Sequence, residues 1–258
     1  MKSSADLEPV TPDPRRLRRT AWILVTIMVV GGWLVLRYYE QWSARKATDE
    51  RPARVHQIRK ERDLRMVRQD GKIVDLFELR GAVWAVNAVS LANPELSARS
   101  LGVMRRLAEK YNVSSDFKLV SLVVDPPSEA DLVPSLEKFA GAHEMALPFW
   151  WLGGTQAATM HKFIKNELKT AVFPHQEDSL WKFDTSIILI DREGHVRRAV
   201  VPQQRGGPPY VATFDFDQAA AWDEKKVLTG TELNNEQQLE QLLTKTIDLL
   251  LAEIPEKR

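Results

Sequence analysis

The apolar positions of this chain fall into runs of three kinds. The longest, Ala21 to Leu36, reads AWILVTIMVVGGWLVL without a single charge. With Thr20 and Tyr38–Tyr39 it reaches the roughly 20 residues that cross a bilayer. Trp22 and Trp33 stand toward its two ends and the tyrosines flank it, as interfacial aromatics do. A buried soluble helix would show a polar face. A cleaved signal peptide would be followed by small residues, but Arg37, Tyr38, Tyr39, Glu40, Gln41 and Trp42 are bulky, polar or charged. Residues 20–39 are therefore expected to be a retained transmembrane signal anchor. Arg15, Arg16, Arg18 and Arg19 precede it, and Arg37, Arg45 and Lys46 follow. That bias predicts the N-terminus inside: a single-pass protein of the inner (cytoplasmic) membrane, its C-terminal domain on the periplasmic or outer side.

The second kind of run is short and solidly apolar. Val83–Ser90 (VWAVNAVS) and Phe117–Val124 (FKLVSLVV) have the length and composition of buried strands. Ile187–Ile190 and Val196–Val201 predict a strand pair across the turn Asp191–Gly194. The third kind recurs at helical spacing. Leu96, Leu101, Met104, Leu107, Ala108 and Tyr111 predict a helix over Pro94–Tyr111, with Asn93 as its cap and Pro94 at its first position. Further helices are expected from Pro134 (Leu136, Phe139, Ala140), over Thr155–Leu168 with Thr155 as cap, and over Glu236–Ile254, stopped by Pro255. The order β-α-β-α-α-β-β-α implies an α/β fold, a mixed sheet with helices on both faces.

Around this core, 1–19 is expected to be a disordered cytoplasmic tail and 40–69 a charged juxtamembrane linker or solvated helix. The folded domain is set at 70–258, opening on the Asp70-Gly71 turn. Pro202–Glu232, rich in Gly, Pro and polar residues with FDF at Phe214–Phe216, is expected to be an extended surface excursion.

Composition then removes whole classes of chemistry. A formal net charge of +1 gives no basic field for nucleic acid. The absence of Cys excludes a disulfide framework, a C-x-x-C redox centre, thioether haem and a thiolate zinc site, and no N-terminal lipid anchor is expected. The five histidines, His56, His143, His161, His175 and His195, show no metal-ligand spacing. Met160 and His161 have the donors of a soft-metal pair, although one packing and one surface residue explain them more simply. His195, after the hairpin turn, is expected to be exposed. Asp125, Glu129 and Asp131 stand where a strand ends and offer hard oxygens, or plain helix-start acidity. Trp150-Trp151 is either an exposed recognition pair or core, and core is the safer reading. There is no G-x-S-x-G, P-loop or dinucleotide fingerprint.

Several stretches in a fixed order carry a resemblance: DGKIVDLFELRG (Asp70–Gly81), the helix start Asn93-Pro94, VVDP (Val123–Pro126), FWWLGGT (Phe149–Thr155) and SIILIDREGHVRR (Ser186–Arg198). Together they resemble the Sco/SenC family of copper chaperones, over roughly Asp70–Ile254. The resemblance implies a thioredoxin-like fold behind an N-terminal transmembrane helix. It also implies a copper site of two cysteines four residues apart at the first helix start and a distant His. Asn93 and Ser97 stand at the two cysteine positions, and Phe183 or Asp184 at the histidine. No ligand carries over, and no cofactor is expected.

What remains is a cleft of Asn93, Ser97, Asp125 and Asp184. Positions 93 and 97 lie one helical turn apart, so their side chains are expected to share a face. The plainer reading of Asn93 is a helix cap. The expected function is a non-catalytic, membrane-anchored Sco-like factor, not an enzyme. Its partner would be a protein, with respiratory oxidase subunits as the implied case and the membrane as its anchor. Two alternatives stay open: a metal carrier with substituted ligands (Asp184, His or Met), and a structural membrane protein contacting others through 202–232.

Overall fold

The structure, a computed structural model, describes residues 14–47, 51–201, 209–229 and 231–253. Most of the expected tail, residues 202–208 of the excursion and the expected stop at Pro255 fall outside these. The chain divides into two compact units, one holding the N-terminal helix and the other the described residues of Glu50–Val201 and Tyr210–Arg258.

In the first unit α1 (Pro14–Ala47) is one continuous helix. Its stretch Pro14–Tyr38 is long and apolar enough to cross a membrane, with an 18-residue window of mean hydropathy 1.8 and none of that window buried. The helix is thus longer than the apolar run alone at both ends.

The second unit begins earlier than expected. The charged stretch assigned to a linker contributes β1 (Ala53–Gln57) and β2 (Arg65–Arg68), followed by β3 (Ile73–Asp75). The expected linker or helix is corrected over Ala53–Arg68, whereas residues 40–47 are helical as the end of α1. β1 is an edge strand with Arg54, Val55 and Gln57 exposed. An edge strand needs few apolar residues, and charge on it discourages unwanted pairing. The stretch buries Ile58 and Leu64, just outside the two strands, and Met66 within β2.

The centre matches the pattern in β4 (Val83–Val89), α2 (Ala98–Tyr111), β5 (Phe117–Val123) and α3 (Glu129–Ala142), but the β6 strand (Trp150–Gly154) between the two expected helices was not foreseen. β4, β5 and β6 pair in parallel. After α4 (Ala157–Asn166) and a small hairpin of β7 (His175–Glu177) and β8 (Leu180–Lys182), β9 (Ile188–Ile190) and β10 (His195–Val201) return antiparallel. β11 (Tyr210–Ala212), α5 (Phe216–Glu224) and α6 (Asn235–Ala252) complete the chain. Neighbours across the sheet run β1-β10-β9-β4-β5-β6-β2-β3, with β11 also on β10. The parallel β4-α2-β5 unit, the antiparallel β9-β10 pair and the closing α6, in the strand order β10-β9-β4-β5, form the thioredoxin-like arrangement.

Alternation explains why both faces are dry. Val83, Ala85 and Val89 of β4 join Leu119 and Val123 of β5 under Leu101, Met104, Leu136 and Ile247 of three helices. Trp84, Val86 and Ala88 join Val120 and Leu122 on the other face, against Met66, Met160 and Ile164. A strand covered on both faces reads as a continuous apolar run, as seen. At Gly153 any side chain would collide with Met66 of the neighbouring strand, so the glycine lets β2 and β6 close up.

Three element boundaries are corrected. Pro134 lies inside α3, which starts at Glu129. α4 begins at Ala157 with Gln156 rather than Thr155 at its cap position. Asn234 caps α6 through a reciprocal box with Gln237. The FDF segment is no surface excursion: Phe214 and Phe216 are 1% and 2% exposed, packed in the core between β11 and α5. Asp215 between them points the other way and caps α5, accepting from the Gln218 N–H at 2.9 Å.

Candidate functional site

In a parallel sheet the functional loops gather at the C-terminal strand ends. Here Val89 of β4 lies opposite Val123 of β5, so the loops leaving both strands start side by side. Asp125 ties them together. Its carboxylate accepts from the Ser90 hydroxyl (2.6 Å), the Leu91 N–H (2.7 Å) and the Ala92 N–H (2.9 Å). Ser90 Oγ in turn accepts from the Asn93 N–H at 3.0 Å. The first member of the acidic group is therefore a loop organiser. Glu129 and Asp131 sit in the first turn of α3, where the helix dipole favours them.

The segment Pro94–Ser97 is a 3-10 turn, and α2 proper starts at Ala98. The expected cap by the Asn93 side chain is corrected. The Leu96 N–H closes the tight turn on the Asn93 carbonyl at 3.1 Å, and the Asn93 amide reaches Glu95 at 3.4 Å instead. The Ser97 side chain is buried and its hydroxyl donates to the Pro94 carbonyl at 3.3 Å, whereas Asn93 is half-exposed. The two positions thus face different surroundings.

Beneath the turn lies a buried polar ladder. The Trp150 indole N–H donates to Ser121 Oγ (3.0 Å), Ser121 to Asn87 Oδ1 (2.7 Å), the Asn87 amide to Ser100 Oγ (3.2 Å), and Ser100 to the Ser97 carbonyl (3.0 Å). It links β6, β5, β4 and the helix start. Among the described residues no buried side-chain nitrogen or oxygen lacks a partner. Trp150 and Trp151 are both buried, so the tandem is core.

The other side of the site is carried by the segment between β8 and β9. Asp184 accepts from the Ala171 N–H (2.6 Å), the Ser186 N–H (3.0 Å) and the Ser186 hydroxyl. An open cavity of 620 Å³ separates this segment, the β7–β8 hairpin and the start of α5 from the 3-10 turn. Phe183 and Asp184 line it together with Leu96, which stands between positions 93 and 97. Asn93, Ser97 and Asp125 are not among its lining residues. The expected cleft is therefore brought together only in part: the two loops face each other, but the turn contributes Leu96.

Sequence reasoning missed the hairpin and the α5 cap. The hairpin's signal was faint, an Asp178-Ser179 turn at φ +49° and +67° between two three-residue strands. Such a turn is more often announced by Asn-Gly. Trp181 forms part of the cavity wall, and the buried His161 supports it, edge-on at 5.4 Å with Nε2 2.6 Å from the Val124 carbonyl. Met160 beside it is fully buried core, so the soft-metal pair is not assembled. His195 is corrected as well: it is largely covered, with Nδ1 against the Asp191 carboxylate at 3.2 Å.

The cavity is acidic. Burial, reinforced by Asp184 and Asp217, pushes the Asp215 carboxyl above its usual range despite the Gln218 N–H. Asp217 accepts from the Thr185 hydroxyl at 2.5 Å and pairs with Arg99 at 3.1 Å. Among the described residues no group of three or more His, Asp or Glu converges as a metal site. The arrangement offers carboxylates, hydroxyls, an exposed imidazole at His175 and aromatic surface.

No protein-family model matches the chain. A curated protein of Bacillus subtilis, the "SCO1 protein homolog", is 26% identical over 130 residues. The match covers 50% of this chain and 66% of that protein, just under two thirds of its length. Among solved structures, BsSco, described as a member of the Sco family of cytochrome c oxidase assembly proteins, is 19% identical with a TM-score of 0.49, covering 78% of this chain and 98% of its own. ScoI of Arabidopsis thaliana, solved with copper bound, is 16% identical with a TM-score of 0.46, covering 72% and 96%. The thioredoxin-like assignment stands on the strand order itself, and the curated likeness is to a Sco protein over half of this chain.

Proposed function

We propose, starting from kinship with the Sco/SenC family, that this chain is a membrane-anchored, non-catalytic assembly factor for a copper-dependent respiratory oxidase. It holds a protein partner at the mouth of the cavity between Leu96, Trp181, Phe183 and Asp184. α1 serves as its single-pass anchor in the inner membrane, and the domain stands on the outer side. One observation carries the reading. Both family ligand loops are tied down by a carboxylate with three donors, Asp125 and Asp184, yet the chain contains no cysteine to use them. Asn and Ser at 93 and 97 offer neutral hard donors that hold Cu(I) poorly and shuttle no electrons. A scaffold that keeps its loop geometry without its reactive groups is suited to binding.

The test is purification of the full chain from its native membranes under mild detergent. Oxidase subunits are expected to co-purify, and Trp181→Ala with Leu180→Asp is expected to release them. Stoichiometric Cu(I) retention against a competing chelator would overturn the reading, because it would mean that other ligands restore the carrier.

A further inference from the structure

Arg51, Arg54, Arg59, Lys60, Arg62, Arg65 and Arg68 fall within one 18-residue stretch that holds only Glu61 and Asp63 as acids, on a chain of net charge +1. In a flexible linker such a concentration would be diffuse. In the structure it is fixed on folded elements: β1, the 3-10 turn Lys60–Arg62 and β2. Arg51, Arg54, Arg59, Lys60, Arg62 and Arg65 are all exposed. Beside the turn lies an open groove of 790 Å³, lined among others by Arg59, Lys60, Arg80, Arg192 and Phe77. Phe77 is 39% exposed, with Lys60 Nζ 5.3 Å and Arg80 Cζ 5.2 Å from its ring centre. Arg80 and Arg192 are held from within: Arg80 donates to the Ile58 carbonyl, and Arg192 to those of Leu250 and Glu253 at 3.0 and 2.9 Å. The groove thus combines the held cations Arg80 and Arg192 (the latter also paired with Asp116 at 3.3 Å), the exposed Arg59 and Lys60 and an aromatic ring, with Glu61 and Glu193 as the acids of its lining.

We propose that this groove binds the anionic headgroups of the phospholipid bilayer in which the chain is anchored. The inference rests on the anchor reading of α1. A phosphodiester headgroup presents negative oxygens above an apolar boundary, matching guanidinium and ammonium groups around a partly exposed ring. The covalent tether adds to the match: the basic stretch starts only 13 residues beyond Tyr38, so it is held at high effective concentration near the membrane. Contact there holds the folded domain against the lipid surface while the cavity between Leu96 and Trp181, built from other elements, receives its partner.

The full chain is placed in lipid nanodiscs of neutral phosphatidylcholine, or of phosphatidylcholine mixed with anionic phosphatidylglycerol. Because the chain has no cysteine, Glu61→Cys gives a single attachment point for a fluorophore at the groove rim, and Val113→Cys a control on exposed surface elsewhere. Quenching by a headgroup-labelled lipid is expected at position 61 in anionic discs only, and not at 113. It should be lost at high salt, and Arg59→Glu with Lys60→Glu should lower the occupancy of the contact about tenfold or more. Arg59→Gln with Lys60→Gln, milder at these exposed positions, should lower it less. Equal quenching in neutral and anionic discs, or equal quenching at 61 and 113, overturns the inference and leaves the anchor standing. Absence of the chain from the disc fraction overturns the anchor, and the inference with it.

Discussion

The floor and the mouth of the site are built on opposite principles. The floor is a closed ladder from Trp150 through Ser121, Asn87 and Ser100 to the Ser97 carbonyl, every rung buried and matched. The mouth is a half-exposed cavity whose carboxylates hold their own loops and whose hairpin carries Leu180 at 50% exposure. A buried polar chain is stabilising only when complete, whereas an exposed wall tolerates change. The floor therefore preserves the shape of the site, and under the proposed function the mouth is where partner specificity would vary.

The sharpest way to break this contrast is Asn87→Leu, which deprives the hydroxyls of Ser121 and Ser100 of a partner in a fully packed strand. A loss of about 3 kcal/mol is expected in urea unfolding. Asp125→Ala removes an acceptor from three donors, two of them backbone, and should cost about 2 kcal/mol. Hydrogen exchange should quicken at Leu91, Ala92 and Asn93 and stay unchanged in β6. Asp184→Asn keeps one acceptor and should cost about 1 kcal/mol, with faster exchange at Ala171 and Ser186. Leu180→Ala should leave stability within about 0.5 kcal/mol while weakening partner retention. Equal losses of stability for Asn87→Leu and Leu180→Ala would abolish the distinction.

The smallest effect is a pH dependence. The Asp215 carboxyl is raised in the folded state, so its contribution is fully present below the ordinary carboxylate pKa and fades as pH rises through the folded value. Asp215→Asn, which keeps the cap to Gln218, should flatten that mildly acidic part of the stability profile relative to the wild type. A profile unchanged by the substitution would show that burial, with Asp184 and Asp217 beside it, does not raise this group.

The central strands were legible because double-sided burial leaves an unbroken apolar run, as in Val83–Val89. So was α2, through the recurrence of Leu101, Met104, Leu107 and Tyr111. The edge strand at Ala53–Gln57 was not, because one solvent-facing side and an open edge leave almost no hydrophobic pattern to read. Phe214 and Phe216 were misplaced for a related reason: two core aromatics around a capping Asp look like a polar loop when their neighbours are Gly and Pro. Of the expected cleft residues Phe183 and Asp184 line the cavity, but the tight 3-10 turn put Leu96 there instead of Asn93 and Ser97, and helical spacing alone does not foresee that.

The sealing of Ser97 under that turn bears on what a pair of thiols at 93 and 97 could do. A thiol placed at 97 would sit in a closed interior with its hydrogen-bonding carbonyl overhead, while one at 93 would meet solvent. In the folded protein Asn93→Cys should react readily with a maleimide and Ser97→Cys only slowly. Two sulfur atoms would then be in the sequence without a shared opening through which an ion could enter, so the turn itself would have to be remodelled before the pair could hold one.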